Sequence, residues 1–361
     1  MLAPHEFFQG EAAMKAPPPP RQPNFNDIRQ SLLRQGCPER CPVMELHVDD
    51  EIASAVMGRP IDKMDPVSLL PFQVRMGYDA IPVFSDLVLP GNDVETDASA
   101  ETGSLATRRA FTNEQDGPLA TRERYEAFPW PDPARITFSK FAAVGPLLPD
   151  GMAILARAFG PFALTTWRMG IQPFCMALVD DRPFVEQVFA RISELVIAAA
   201  RGGMAQMRVG AVWISDDLGF NSGPFIAPAD LRKLVFPVYA EICREARRRD
   251  LPVLLHSCGN LHTIIPDLIA CGISGFHSLP PNLYDLARLK ADWGDRLCFL
   301  GNIDVDLLAR GSPEAVRRAV RNVKDIWRAD PAGGIILSSS NSITNYCRLE
   351  NYFAMMDEAR K

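Results

Sequence analysis

The chain has 361 residues, 47% of them hydrophobic, which is ample material for one large buried core. A net charge of −6 and an isoelectric point near 5.5, with no basic cluster interleaved with aromatics, argue against nucleic acid or an anionic membrane as partner. No run approaches the roughly 18 continuous apolar residues of a membrane span, and eight cysteines without a framework spacing suit a reducing cytoplasm.

In chain order, Met1 to Asn24 has no apolar core of signal-peptide length and runs into Pro17-Pro18-Pro19-Pro20, which resists helix and sheet alike. Residues 1–23 therefore read as a flexible proline-rich arm, and 24–361 as a single domain. Asn24 to Arg34 predicts a helix opened by an asparagine cap, Cys41 to Leu46 a first strand, Met64 to Gly77 a helix, and Ala80 to Phe84 a strand. Residues 90–135, polar and rich in Thr, Asp, Gly and Pro, read as an inserted loop, a lid or small antiparallel flap.

From Gly151 the rhythm is regular. Strands at Ala153–Ala158, Ala211–Ser215, Leu251–Leu255, Ser274–Phe276, Leu297–Leu300 and Gly334–Leu337 alternate with helices such as Pro183–Met207, Ala229–Asp250 and Leu261–Ala270. Alternation of this kind implies parallel strands joined by crossovers, and about eight such units close into an α/β, (β/α)8 TIM barrel. No Gly-x-Gly-x-x-Gly follows a strand, so a dinucleotide-binding fold has no motif to stand on.

In such a barrel the chemistry lies at the carboxyl ends of the strands. Those exits carry Glu45, His47, Asp49 and Asp50; Asp216 and Asp217; His256-Ser257-Cys258-Gly259-Asn260; His277; Gly301-Asn302; and Ser338-Ser339-Ser340-Asn341. One rim histidine alone is most simply a hydrogen-bonded residue at the core's edge, but His47, His256 and His277 converge on one rim. Asp181 and Asp304 are placed as helix caps, whereas Asp217 is followed by glycines instead of a helix.

His256-Ser257-Cys258-Gly259-Asn260, after Leu251 to Leu255, resembles the His-x-Cys-Gly-Asn segment of the uroporphyrinogen decarboxylase superfamily. The match is nearest to the branch of methylcobamide:thiol methyltransferases. Asp216-Asp217-Leu218-Gly219, Ala227-Pro228, Gly301-Asn302-Ile303-Asp304 and Glu350-Asn351 fit in order, so the resemblance covers roughly residues 25 to 361. The decarboxylases themselves carry an arginine-rich Met-Arg-Gln-Ala-Gly-Arg segment at the first strand. This chain has the acidic Met44-Glu45-Leu46-His47-Val48-Asp49 there, which would repel a polycarboxylate porphyrinogen.

The resemblance to the methyltransferase branch implies zinc on His256 and Cys258, whose i and i+2 spacing aims both side chains to one face of a strand. The branch's late cysteine aligns near Ser340-Asn341, and Cys347 lies several residues beyond. A third donor is thus expected from Glu45, His47, Asp49 or His277. The implied activity moves methyl between a corrinoid, on a partner protein because the chain lacks an Asp-x-His-x-x-Gly stretch, and a small thiol or methoxylated substrate. The polar excursion could help to receive that partner. Asp217, His256 and Cys258 are the expected catalytic residues; Glu45, His47, His277, Asn302 and Asn341 the expected substrate-binding ones. Alternatives are a metal-independent decarboxylase or lyase acting on a smaller acid, for which Arg157 is the only arginine on a predicted strand, and a barrel that binds a ligand without catalysis. A hydrolase pairing Asp217 with Asp304 fits geometry without a resemblance to support it, and a homodimer is expected by analogy.

Overall fold

A computed structural model describes residues 17–19, 21–90, 93–97 and 108–361. Eleven strands are described: β1 (Ala80–Phe84), β2 (Asp93–Asp97), β3 (Arg108–Thr112), β4 (Ala153–Phe159), β5 (Val209–Ser215), β6 (Gly219–Phe220), β7 (Gly223–Pro224), β8 (Val253–His256), β9 (Gly275–His277), β10 (Cys298–Leu300) and β11 (Ile335–Ile336). Seven form one sheet in the order β1-β4-β5-β8-β9-β10-β11, with every neighbouring pair parallel. Helices separate consecutive strands of this sheet, as crossovers between parallel strands require. The excursion carries the antiparallel pair β2–β3, and β6–β7 is a short hairpin.

The expected first strand takes a different form. Val43 and Val48 make isolated parallel bridges to Leu337 and Ile343, extending the β11 edge, and no ladder joins them to β1 among the described residues. The sheet is thus a curled run of seven strands with an eighth segment bridged to one edge. Local chemistry explains the interruption. Pro42 has no N–H, and the Glu45 carboxylate takes the Ser339 N–H at 2.9 Å, a donor that a strand carbonyl would otherwise accept. Pro82, in the middle of β1, likewise suits an edge strand.

The two-residue period divides the core. Met44, Leu46, Ala80, Leu155, Trp213, Leu254, Leu300 and Ile336 meet inside the curl, while Ile154, Ala156, Val212, Ile214 and Leu255 face the surrounding helices. The helix Phe25–Leu33 plugs the amino end of the interior with Phe25, Ile28 and Leu32. Burying side chains of this size contributes about 1.5–3 kcal/mol each. Glycines make room for the plug: a Cβ at Gly210 would lie 2.3 Å from the Phe25 ring, and one at Gly275 2.7 Å from Leu32. The carboxyl end is left for polar residues.

Among the helices, Arg182–Met204 and Val305–Arg310 start as expected, with the Asp181 and Asp304 side chains accepting from Phe184 N–H and Asp306 N–H. The single helix expected over 229–250 is two, Pro228–Leu234 and Phe236–Arg247, because Pro237 removes a helical donor at the join. No described helix is long and apolar enough to cross a membrane.

Of the expected flexible arm, residues 1–16 and Pro20 lie outside the described residues. The rest is tied down. Arg21 pairs at 2.5 Å with the fully buried Asp79, which also accepts the Asn24 N–H, and Arg75 donates to the Pro18 carbonyl. Removing Arg21 would leave a buried carboxylate without its cation, so Arg21→Ala should lower unfolding free energy by about 3 kcal/mol. An unchanged urea midpoint would show that the tie carries no stability.

Candidate active site

Asp216 and Asp217 leave β5 together and part immediately. Asp216 turns under the start of Pro161–Met169, the helix that follows β4, accepting Ala163 N–H at 2.6 Å, and also accepts Tyr239 Oη–H at 2.7 Å. Gly160 permits this approach, since a Cβ there would lie 2.0 Å from Asp216. Burial raises the Asp216 pKa to about 6 against these hydrogen bonds. Asp216 therefore holds the fold, and Asp217 faces the site.

Asp217 lies against Cys258. Burial raises its pKa, the thiol and backbone N–H of Cys258 lower it, and its buried Oδ1 has no hydrogen-bond partner. The turn carrying Cys258 is fixed by Gly259, at φ +87°, where a Cβ would fall 2.2 Å from the Gly219 carbonyl carbon. Asn260 N–H donates to Phe220 O at 2.8 Å across the same contact.

His256, the last residue of β8, faces His277, the last of β9, in direct register. Their Nδ1 atoms are 2.8 Å apart, and His277 Nε2 lies 3.0 Å from the Ser339 carbonyl. A carbonyl can only accept, so the proton of His277 sits on Nε2 and its Nδ1 is a lone pair. His256 must then carry its proton on Nδ1, which leaves Nε2 as a lone pair. That lone pair lies 3.7 Å from Cys258 Sγ. The spacing agrees with the 3–4 Å expected of two ligands sharing one zinc ion. Burial, followed by the other imidazole, depresses the His256 pKa, and burial lowers that of His277 to about 4.

The other expected residues surround this pair. Asn341 Nδ2 donates to Cys258 Sγ at 3.4 Å, while Ser342 links Asn341 to His47. Glu45 is buried beneath Ser338 and Ser339, and burial raises its pKa to about 8 against their hydrogen bonds. Ser338 Oγ also stands 3.3 Å from His277 Nε2, so Glu45 connects to the imidazoles through one hydroxyl. Asp49 pairs with Lys63 at 2.8 Å. Asn302 follows β10 at the same end, with no hydrogen bond to the cluster among the described residues.

The expected third donors need correction. His277 has both nitrogens engaged, Glu45 is taken by the serines, and His47 faces Ser342 and Asp49. Among the described residues, no three His, Cys, Asp or Glu side chains stand together in metal-holding geometry. The carboxylate beside the His256–Cys258 pair is Asp217. Cys347 pairs with Thr344 Oγ1 at 3.6 Å. The sequence places Ser338 and Ser339 at the last strand's exit without assigning them a role, and gives no sign of Ser342. Trp213 carries no signal either, since an indole on an apolar strand reads as core.

The Cys258 thiol is pushed up to about 12, by burial first and the Asp217 charge second, while the Asn341 hydrogen bond lowers it. On its own it is a neutral thiol near pH 7. A cation beside it would favour the thiolate.

The fold and site together define an α/β protein whose titratable side chains gather at the carboxyl ends of a curled parallel sheet. Residues 60–361 match the family model described as uroporphyrinogen decarboxylase (URO-D), and the chain belongs to that family. No curated protein sequence matches it. Among solved structures, a methyltransferase from Methanosarcina mazei shares the fold, with a TM-score of 0.68 and 15% identity over 94% of this chain and 98% of that one. A B12-independent methionine synthase from Shewanella sp. W3-18-1, in complex with selenomethionine, gives 0.49 at 10% identity, covering 84% and 88%.

The tautomer assignment is measurable. The ring nitrogens of His256 and His277 should keep neutral-imidazole 15N shifts from pH 7.5 down to 5.5, where an imidazole in water, with a pKa of about 6.5, is mostly protonated. Protonation of either ring within that range would break the chain.

Proposed function

We propose that the chain is a zinc-dependent methyltransferase that moves methyl between a corrinoid on a partner protein and a small thiol or methoxylated substrate, on a (β/α)8 barrel completed by residues 42–48. The observation that carries this reading is the His256 Nε2 lone pair facing Cys258 Sγ at 3.7 Å, with His277 and Ser339 fixing the tautomer. Family membership and the fold shared with the Methanosarcina mazei methyltransferase support it.

Two of the residues present fit the ion in chemistry, an imidazole and a thiol at ligand separation. No third His, Cys, Asp or Glu joins them in metal-holding geometry among the described residues, so Asp217, whose Oδ1 is buried without a hydrogen-bond partner beside Cys258, would have to shift to supply a third donor. When bound, zinc supplies Lewis acidity that favours a thiolate near neutral pH. His277 holds the His256 lone pair outward. Asn341 donates to the Cys258 sulfur and so favours its anionic form. Asp217 provides the negative charge that a divalent cation at this point would offset. The corrinoid comes on the partner, and the β2–β3 excursion is the proposed element that meets it.

Protein purified without added zinc should contain about one zinc per chain, as one tetrahedral site allows, and Cys258→Ser should lose both the metal and methyl transfer from methylcobalamin to thiol acceptors. Zinc added to stripped protein at pH 7.5 should release a proton from Cys258, whose metal-free pKa is about 12. Asp217→Asn should weaken zinc retention and leave the His256–His277 shifts in place. Full activity in Cys258→Ser would instead establish a metal-free reaction, of the lyase kind.

A further inference from the structure

Two strands from His256, β4 carries Arg157, whose neighbours raise a separate question. Its interior position follows from the same period as Ala153 and Leu155, and it is only 8% exposed. Its Nη1 donates to the Leu46 carbonyl at 2.9 Å and Nη2 to Ser215 Oγ at 2.6 Å. The guanidinium lies over the rings of Phe84, at 4.6 Å, and Trp213, at 5.8 Å. Every one of these partners is neutral. No carboxylate pairs with Arg157 among the described residues, and its Nε has no hydrogen-bond partner.

A buried charge without a counterion is costly. Two neutral acceptors and two aromatic faces offset part of that cost. They would also serve a purely structural clasp between β4 and residues 42–48, but such a clasp needs no charge. A glutamine could donate one of the two hydrogen bonds without burying a cation. The position also lines an opening. A cavity of about 270 Å³ at the carboxyl ends of β1 and β4 is bounded by Arg157, the stacked rings of Phe84 and Phe159, Leu87, Leu164 and Lys140. Its polar members include two cations, and the one carboxylate on its lining, Asp86, is taken by Thr137 and Ser139.

The geometry points to a binding site for a small carboxylic acid with a flat apolar body: the carboxylate on Arg157, the body between the aromatic and aliphatic walls of this cavity. Each Nη keeps a second hydrogen beyond the bonds it makes now, and a planar carboxylate matches that fork. Trp213 stands 5.8 Å from the guanidinium and 5.9 Å from the His277 imidazole, so the indole touches both Arg157 and the His256–His277 pair, while the cavity itself is lined by neither histidine nor Cys258. The inference goes beyond methyl transfer and is independent of it, because none of the cavity's residues is a proposed zinc ligand.

Benzoate is the probe, with benzamide as its neutral isostere. Benzoate should raise the unfolding midpoint of the full chain in a concentration-dependent manner, and benzamide should bind at least about tenfold more weakly, the worth of a charge-assisted hydrogen bond. Arg157→Gln should weaken benzoate about 10- to 100-fold on the same grounds, while zinc content stays that of the unsubstituted chain. Equal binding of benzoate and benzamide, no binding of benzoate at millimolar concentration, or unchanged benzoate affinity in Arg157→Gln would each overturn the site. Should that variant not fold, the benzoate–benzamide comparison on the unsubstituted protein decides alone. Zinc content separates this result from the methyltransferase reading, since loss of metal without loss of benzoate binding counts against that reading only.

Discussion

His256 and His277 face each other through Nδ1 at 2.8 Å, and a single proton fits on that line. Both rings are buried, so charging either would desolvate a cation beside a second imidazole and near Arg157. The neutral pair is the state that burial enforces. From it the rest of the site follows: the Ser339 carbonyl sets one end, and the lone pair directed at Cys258 is the other. The Ser339 backbone, just past β11, thereby decides which atom β8 presents to ligand, acting through His277, 62 residues before it in the chain.

Desolvation dominates the electrostatics of this end of the sheet. Glu45 is pushed up to about 8, Cys258 to about 12, and Arg157 down to about 9, with burial the largest cause in each case. Hydrogen bonds to charged groups return about 1.5–3 kcal/mol apiece, against several for burying an ion. Near neutral pH Glu45 and Cys258 therefore favour their neutral forms unless an ion of opposite sign joins them, whereas Arg157 keeps its charge. Asp49 is the contrast: its Lys63 partner, with the Asn345 N–H, outweighs burial and holds the carboxyl below its usual range.

Much of the fold was legible because its strands are short apolar runs between strong helices. The expected strand ends at Phe84, Ser215, Leu300 and near His256 lie within a residue or two of those observed. The first strand was not, since its apolar pattern says nothing of Glu45 taking a backbone donor from residue 339. In the site, His256 and Cys258 stood out through the family resemblance of their segment, and their i and i+2 spacing agrees with the 3.7 Å approach of the two side chains. Which of the adjacent Asp216 and Asp217 caps a helix was not legible: that depends on Gly160 and Tyr239, remote in sequence and brought near only by packing. The engagement of His277 by a carbonyl was equally invisible, because backbone acceptors carry no sequence signal. An arginine on an apolar strand was noticed, but the lack of a carboxylate partner is a three-dimensional fact.

The bridge between residues 42–48 and the end of the chain bears on how the protein is made. Glu45 is synthesised early, yet its hydrogen-bond donors at Ser339 lie 294 residues downstream. Until they emerge from the ribosome, one edge of the sheet lacks its final partner and the Glu45 carboxylate stays in water. Closure of the structure is thus a late event of high contact order, and non-local pairings of this kind are slow to form. A nascent chain stalled before β11 would have six strands of its main sheet and no lodging for Glu45. Its half-built surface is the kind on which chaperones act.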